Sequence, residues 1–445
     1  MDIKMNKDAA LVISMLEQHG FEAYIVGGCV RDTVLGLTPK DWDMTTSASP
    51  EQIEEVLIDF PQFDRGGRKF GTIVADVNGT ELEITTYRTD VGCDGRKCEV
   101  RQTKSLLEDL ARRDFTMNAI AFDGKNIVDP FGGVKDIRNK IIKSVGSAND
   151  RFNEDGLRIL RALRFASKLG FSLDGGTAKA AIEKKSNLKF VSNDRIRDEL
   201  VKILLGNSVR TILTSYSEIL FEIIPELRPS FGLSQDNPNH DSTVFDHTLR
   251  AVESVSSDVM LKIVMLLHDI GKPSTKQMVD GVGKFHGHPA VSAEISTDIL
   301  ERLHFERRFI NEALYLIKTH DNDLHASKSA CKRFIMNSSI ETAKKFMAVR
   351  KADIDAQSVF NRAKKHGQLD SIANFINIIE SEASVLDRSK MAIKGGDMLA
   401  IGLKGPSIKL VLGQLLDEII DETLKNDKDV LIKRAREIAV SLDLI

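Results

Sequence analysis

The chain lacks most of what would place it outside a reducing, aqueous compartment. Its 445 residues include only four cysteines, Cys29, Cys93, Cys98 and Cys331, with no C-x-x-C spacing among them. Reduced thiols in a cytoplasmic protein are the expectation. No run of about 18 apolar residues exists, so no membrane span is expected. The opening MDIKMNKDAALVISML carries acidic residues and no small-residue cleavage site, so no signal peptide is expected. Repeats and low-complexity tracts are missing. So is an excess of positive charge: the formal net charge is −3. A nucleic-acid binder of that charge must concentrate its Lys and Arg locally. What is present, 42% hydrophobic and 29% charged residues, describes a soluble globular chain long enough for about three domains.

Periodicity divides it. Residues 5–19 have a helical apolar pattern, and strand-like pieces follow at 24–27, 41–45, 72–77, 81–87 and near 118–122. From Phe152 onward long amphipathic helices dominate. Polar or Gly/Pro breaks fall at 231–241, 394–396 and 402–406. The expectation is an α+β protein: a mixed sheet with helices, then an all-helical remainder.

Residues 24–46 read YIVGGCVRDTVLGLTPKDWDMTT. Gly27 and Gly28 after a strand let backbone N–H groups approach a phosphate, and Arg31 offers a planar fork to a phosphate oxygen. Asp41 and Asp43 flank Trp42, the only tryptophan. In a strand over 41–45 both carboxylates share a face and can hold hard divalent ions against nucleotide phosphates. Alone, a D-x-D is more often a pair of solvated aspartates and a G-G a turn. Together, in this order, they resemble the head of polymerase-β-like nucleotidyltransferases. The sharper resemblance is to the class II tRNA nucleotidyltransferases, the CCA-adding enzymes, and the related bacterial poly(A) polymerases. It implies two Mg²⁺ ions on Asp41 and Asp43. Asp76, Glu81 and Glu83 include a candidate third carboxylate, although a solvated strand face is the commoner explanation.

Further blocks extend the resemblance through residue 200. Segment 88–105 is polar with two glycines and reads as a mobile loop. RRDFTMN at 112–118 follows, and the family's ribose and phosphate contacts fall on Arg113, Asp114 and Asn118. In RFNEDGLRILRALRFASK (151–168), Asn153 is a good N-cap, and Asp155 and Arg158 stand three apart, hence on one helical face. An i,i+3 ion pair would explain them. The E-D-x-x-R string matches the family's protein template for CTP and ATP, with Asp155 and Arg158 reading the base edge. Arg161 and Arg164 continue the series toward phosphate. In NDRIRDEL (193–200), Arg195 and Glu199 are the expected structural ion pair of the family's neck.

Six of ten histidines fall between 247 and 320. His268-Asp269 in LLHDIGK, with His247 upstream and a GHP downstream, resembles the HD superfamily of metal-dependent phosphohydrolases. Asp353 best fits the final aspartate, with Asp321 as rival; His288 and His320 match positions through which some members hold a second metal. Imidazole with carboxylate suits a transition metal, Ni²⁺, Mn²⁺ or Co²⁺, better than Mg²⁺. His19 and His366 read as surface residues. The resemblance implies a nucleotidyltransferase head (1–135), a neck with the base-selecting helix (136–230), an HD-type domain (240–360) and a helical, tRNA-binding tail (361–445). Its function would be template-independent addition of C, C and A to tRNA from CTP and ATP. Two readings compete: a poly(A) polymerase, against which the tail's modest basicity speaks, and an HD phosphohydrolase with an idle head, against which the intact head residues speak.

Overall fold

Asn6 opens the first helix, α1 (Lys7–Gln18), by accepting from the backbone N–H groups of Asp8 and Ala9, as an N-cap amide does. This is a computed structural model of the protein; it describes residues 4–92, 99–360, 362–382 and 388–445. The chain forms two compact units, Met1–Pro225 and Glu226–Ile445.

The first unit is built on a seven-stranded sheet. Its strands are β1 (Ala23–Val26), β2 (Trp42–Thr46), β3 (Gln62–Phe63), β4 (Thr72–Val77), β5 (Thr80–Thr86) and, after a separate hairpin of β6 (Arg88–Val91) and β7 (Glu99–Gln102), the short β8 (Ala121–Phe122) and β9 (Ile127–Val128). The order is β3-β4-β5-β2-β1-β8-β9. β2 runs parallel to β5 and the other pairs are antiparallel. Asn78 and Gly79, with φ of 54° and 87°, make the tight β4–β5 turn that positive-φ residues favour. Asp8 of α1 accepts from Asn78 and Thr80 there, at 3.1 and 2.7 Å, so the helix is tied to the turn that sets the register.

Several sequence expectations shift. The strand read at 41–45 begins at Trp42, leaving Asp41 in the bend before it. The strand near 118–122 shrinks to two residues, because 116–118 coil into a 3-10 turn. The segment read as a mobile loop, 88–105, forms the β6–β7 hairpin on both sides; its centre, 93–98, with Cys93 and Cys98, lies outside the described residues. Asn153 caps nothing. A helix spans Ala148–Glu154, capped by Ser147, and a second spans Leu157–Leu169. Between them Asp155 is extended, with φ −149° and ψ 107°. Gly156, next along, is closely approached: a Cβ there would stand 2.7 Å from the carbonyl oxygen of Asn187, so the junction requires glycine.

The second unit is helical. Helix Val259–Leu267 is buried from Met260 through Leu267 and packs against helices Val244–Ser254, Arg307–Thr319 and Ile340–Ala356. Its one lysine, Lys262, donates from the interior to the carbonyl of Val252 at 2.6 Å. Further on, Met398, Leu403, Val411, Leu415, Leu431 and Ala435 form a separate apolar cluster.

Close approach at one glycine gives a stability test. A Cβ on Gly133 would lie 2.1 Å from Thr116 O and 2.9 Å from Ile120 Cγ1, whereas one on Gly175, in the same unit, meets nothing within 4 Å. Gly133→Ala should cost about 1–3 kcal/mol or more and Gly175→Ala less than about 0.5 kcal/mol. Urea-denaturation midpoints of the two variants check this.

Candidate active site and metal centre

In the first unit, β1 ends at Val26, and the φ of 78° at Gly27 turns the chain into helix α2 (Gly28–Val34). A Cβ there would sit 3.0 Å from Arg113 Nη1, so glycine makes room for that guanidinium. The next strand over, β2, carries Asp43 directly opposite Glu83 of β5. Burial pushes the Asp43 carboxyl up, and Glu83 and Asp41 add to this against Arg113 and Arg31. Among the described residues no ion pair engages Asp41, Asp43 or Glu83. Three acidic groups that repel one another fit a divalent cation. They do not close on one point, however: among the described residues, every triad of ligand atoms within 4.8 Å of one another lies in the second unit. Of the other carboxylates read in the sequence, Asp76 caps the β4–β5 turn at Gly79 N and Glu81 pairs with Arg65.

Beside Asp43 opens a cavity of about 900 Å³. Gly27, Gly28, Arg31, Arg113, Asp114, Asn118, Asp155, Arg158, Arg161 and Arg164 all line it. Their roles divide by burial. Asp114 is 8% exposed and accepts from Arg161 Nε at 2.8 Å, Asn118 Nδ2 at 3.0 Å and its neighbour's backbone N–H. Burial would raise its carboxyl, but Arg161 and Asn118 hold it below the usual range. Asn118 in turn accepts from Arg31 Nη1 at 2.7 Å. Asp114 and Asn118 thus orient Arg31 and Arg161 rather than standing free themselves. Arg113 is steadied by Asp109 at 3.2 Å.

Asp155 and Arg158, expected to read the base edge, are arranged differently from a helical i,i+3 ion pair. Asp155, outside the helix, takes Leu157 N–H at 3.0 Å and Arg195 Nη2 at 2.8 Å. Arg158 pairs with Glu154 at 2.6 Å and donates to Arg112 O at 3.0 Å. The Arg195–Glu199 bridge expected in the neck does not form. Glu199 bonds Arg164 at 2.9 Å and Lys202 at 3.4 Å instead, while Arg195 bonds Asp155. Lys40, Lys168, Lys202 and Phe165 also line the cavity and were missed in the sequence. Lys168 was legible, four residues after Arg164 on the same helical face. Against all these cations the cavity has only Asp43, Asp114 and Asp155, so the positive charge a near-neutral chain needs is concentrated here.

The second unit brings its histidines together. His247, His268, Asp269, His288, His320 and Asp353 are each 6% exposed or less. His268, His288 and His320 turn Nδ1 to backbone carbonyls at 2.7–2.8 Å, and His247 does so at 3.4 Å. A carbonyl only accepts, so each Nδ1 donates, and in the neutral ring Nε2 then carries the lone pair. The Nε2 atoms then face each other in pairs, 3.4 Å apart for His247 and His268 and 3.2 Å for His288 and His320. Facing lone pairs repel unless a cation lies between them. Asp269 spans both pairs: Oδ2 is 3.2 Å from His268, and Oδ1 is 3.2 Å from His288. Both its oxygens are buried without a well-formed hydrogen bond, though Lys272 Nζ stands 2.7 Å from Oδ2. Asp353 Oδ1 is 3.1 Å from His247 Nε2. Asp321 is exposed and lies 3.6 Å from Arg350. This His/Asp cluster is a metal-binding site: the ligand atoms of His247, His268 and Asp353, and those of His268, Asp269 and His320, lie within 4.8 Å of one another, a donor set that suits a transition metal. A cavity of about 310 Å³ lies over it, with Lys272, Lys284 and Lys365 in its wall. His240, unnoticed in the sequence, stands edge-on to His247 at 4.9 Å. Burial, Lys272 and His247 push its imidazole down to about 3.

Comparison with known proteins agrees with both units. The Poly A polymerase head domain family matches residues 23–143, a probable RNA- and SrmB-binding region of polymerase A matches 170–229, and the HD domain matches 244–357. The CCA-adding enzyme of Staphylococcus haemolyticus is 30% identical over 443 residues, 98% of this chain and 99% of that protein. The CCA-adding enzyme of Geobacillus kaustophilus is 44% identical over 220 residues; there the chain spans about half the relative's length, 54%. The crystal structure of the Bacillus stearothermophilus CCA-adding enzyme in complex with CTP superposes with a TM-score of 0.71, at 26% identity and 99% coverage of both chains.

The cluster geometry separates the two rival aspartates. Asp353→Asn should weaken Mn²⁺ or Ni²⁺ binding at least about tenfold, while Asp321→Asn leaves it unchanged, as read by calorimetry and metal content. Metal added to the stripped protein should raise the melting temperature of the wild type.

Proposed function

The chain belongs to the family of CCA-adding enzymes, and we propose from that premise that it extends the 3′ end of tRNA with C, C and A from CTP and ATP. The observation that carries this reading is the cationic cavity that begins at Asp43 and holds Asp155 and Arg158 in its wall. The primer 3′-hydroxyl gives up its proton to solvent, its oxygen forms a bond to the α-phosphorus, the bond from that phosphorus to the bridging oxygen breaks, and pyrophosphate leaves. Asp41 and Asp43, with Glu83 across the sheet from Asp43, would hold Mg²⁺. When bound, Mg²⁺ supplies neutralisation of the reacting phosphates and a lowered pKa for the primer hydroxyl. The protein's own groups do the rest. Arg31, Arg113 and Arg161 orient the phosphates and ribose from a wall of buried acceptors. Asp155 accepts and Arg158 donates along the base edge. C and A both present an exocyclic amine beside a ring-nitrogen acceptor, and U and G present the reverse, so no nucleic-acid template is needed. The tRNA would be held by its phosphates and helical shape. Two buried free thiols, Cys29 and Cys331, accord with a cytoplasmic location, and no helix among the described residues is long and apolar enough to cross a membrane.

A second reading is favoured by a separate observation, the histidine cluster. We propose that the second unit is a metal-dependent phosphohydrolase that removes 2′,3′-cyclic or terminal phosphates from RNA ends, so that a blocked primer regains its hydroxyl. The metal supplies Lewis acidity toward water and phosphate, and Lys272 places a positive charge beside Asp269.

Three variants separate these activities. Asp43→Asn should lower CMP incorporation into tRNA lacking its CCA end by about a thousandfold or more, and should spare hydrolysis of a 2′,3′-cyclic phosphate. His268→Ala should do the reverse, and wild-type hydrolysis should stop on chelation and return with Ni²⁺, Mn²⁺ or Co²⁺. Arg158→Ala should loosen choice among the four NTPs, each lost base-edge pair being worth about 1–3 kcal/mol; equal loss with all four would make Arg158 a phosphate or structural residue. If the wild type with each labelled NTP in turn adds only A, the protein is a poly(A) polymerase.

A further inference from the structure

Three guanidinium groups converge on one aromatic ring in the first unit. The Cζ atoms of Arg164, Arg31 and Arg161 lie 4.3, 5.1 and 5.6 Å from the centroid of Phe165. The ring is 5% exposed, lines the cavity beside Asp43 and stands edge-on to the buried ring of Phe115, 5.8 Å away at 84°. The three arginines come from two different elements: Arg31 from α2, Arg161 and Arg164 from helix Leu157–Leu169. Phe165 is therefore the surface on which the phosphate-side and base-side elements meet.

Each guanidinium already has an acidic or amide partner: Asp32 and Asn118 for Arg31, Asp114 for Arg161, Glu199 for Arg164. Those partners balance charge, and Asp114 and Asn118 link Arg31 to Arg161, but among the described residues no shared acceptor ties Arg164 to the other two. Three cations side by side repel, and with long side chains they would splay. An aromatic ring attracts each through its quadrupole, fills the space between them and keeps that space dry. A guanidinium with some of its five N–H groups committed can offer a phosphate only the remainder. Affinity then depends on where those remaining donors point more than on how many charges are present.

We propose that Phe165 is a positioning residue for nucleotide binding, holding Arg31, Arg161 and Arg164 as one fixed cationic wall against a nucleoside triphosphate. The proposal rests on the reading that this cavity takes CTP and ATP. The ring does not belong to the base-reading pair Asp155 and Arg158, so its loss should weaken CTP and ATP alike and leave the choice between bases untouched.

The test compares Phe165→Leu and Phe165→Met, which keep an apolar side chain and remove the ring, with Phe165→Tyr, which keeps it. The readouts are KM and kcat for CTP and ATP with tRNA primers, and direct binding of each triphosphate, normalised to folded protein by circular dichroism. Both ring-free variants should raise KM and the dissociation constant for CTP and for ATP by about fivefold to thirtyfold, with kcat within about twofold and selection against UTP and GTP unchanged. Phe165→Tyr should restore wild-type values. A merely structural role would lower the folded fraction or kcat with KM unmoved, and that outcome overturns the proposal, as does wild-type affinity in either ring-free variant or failure of Phe165→Tyr to rescue. If Phe165→Leu does not fold, Phe165→Met decides. Should the wild type itself bind neither CTP nor ATP, the reading of the cavity fails and the role of Phe165 falls with it.

Discussion

Keeping many arginines close together without letting them repel one another apart is the constraint on which the first unit depends. A surface could spread them and rely on water. A cavity shaped for a nucleotide cannot, so each guanidinium is matched to an acceptor that is itself held in place. Asp114 is the centre of this arrangement. It is buried deeply enough that its charge would be costly if unpaired, and Arg161 is the cation that permits it. Arg31 joins through Asn118. The sheet and the helices after it are linked by these bonds as much as by apolar packing. This explains why a chain of net charge −3 can present a strongly cationic wall at one place.

The second unit meets the mirror-image constraint. There, electron pairs rather than cations are crowded: imidazole Nε2 atoms face each other in pairs, and a carboxylate lies between the pairs. Backbone carbonyls fix each ring by its other nitrogen, so the rings cannot turn away. Helix Val259–Leu267 is buried on all sides, which fixes His268 and Asp269 at its end to the packing of the unit. Such a site is costly without a cation and favourable with one. Binding and stability should therefore be linked.

The two halves of the chain are unequally legible. The glycine pair, the D-x-D and the R-R-D string are local in sequence, and their chemistry follows from residue type and spacing, so these residues can be named from the chain alone. The His-Asp pair and its partners are legible too, although the partners are far apart in sequence, because histidines clustered in one stretch are uncommon. Asp155 and Arg158 stand in the right string, but the helical face expected for them does not exist. The chain is extended at Asp155, beside a glycine whose missing side chain leaves room for the carbonyl of Asn187, and residue 187 cannot be seen from a window around 156. The β6–β7 hairpin reads as a loop for a related reason: its polar strands pair mainly with each other, so they carry no alternation of apolar residues.

Periodicity and residue chemistry act over a few positions, and they suffice for the class of each unit and the identity of the groups that carry charge. The partners of those groups are set on folding. Arg195 is about one helical turn from Glu199 and still bonds Asp155, forty residues away, and Phe165, an ordinary core residue by its pattern, meets Arg31 of a different helix. Ion pairs and ring contacts are chosen by distance and burial after folding, and spacing along a chain limits those distances without fixing them.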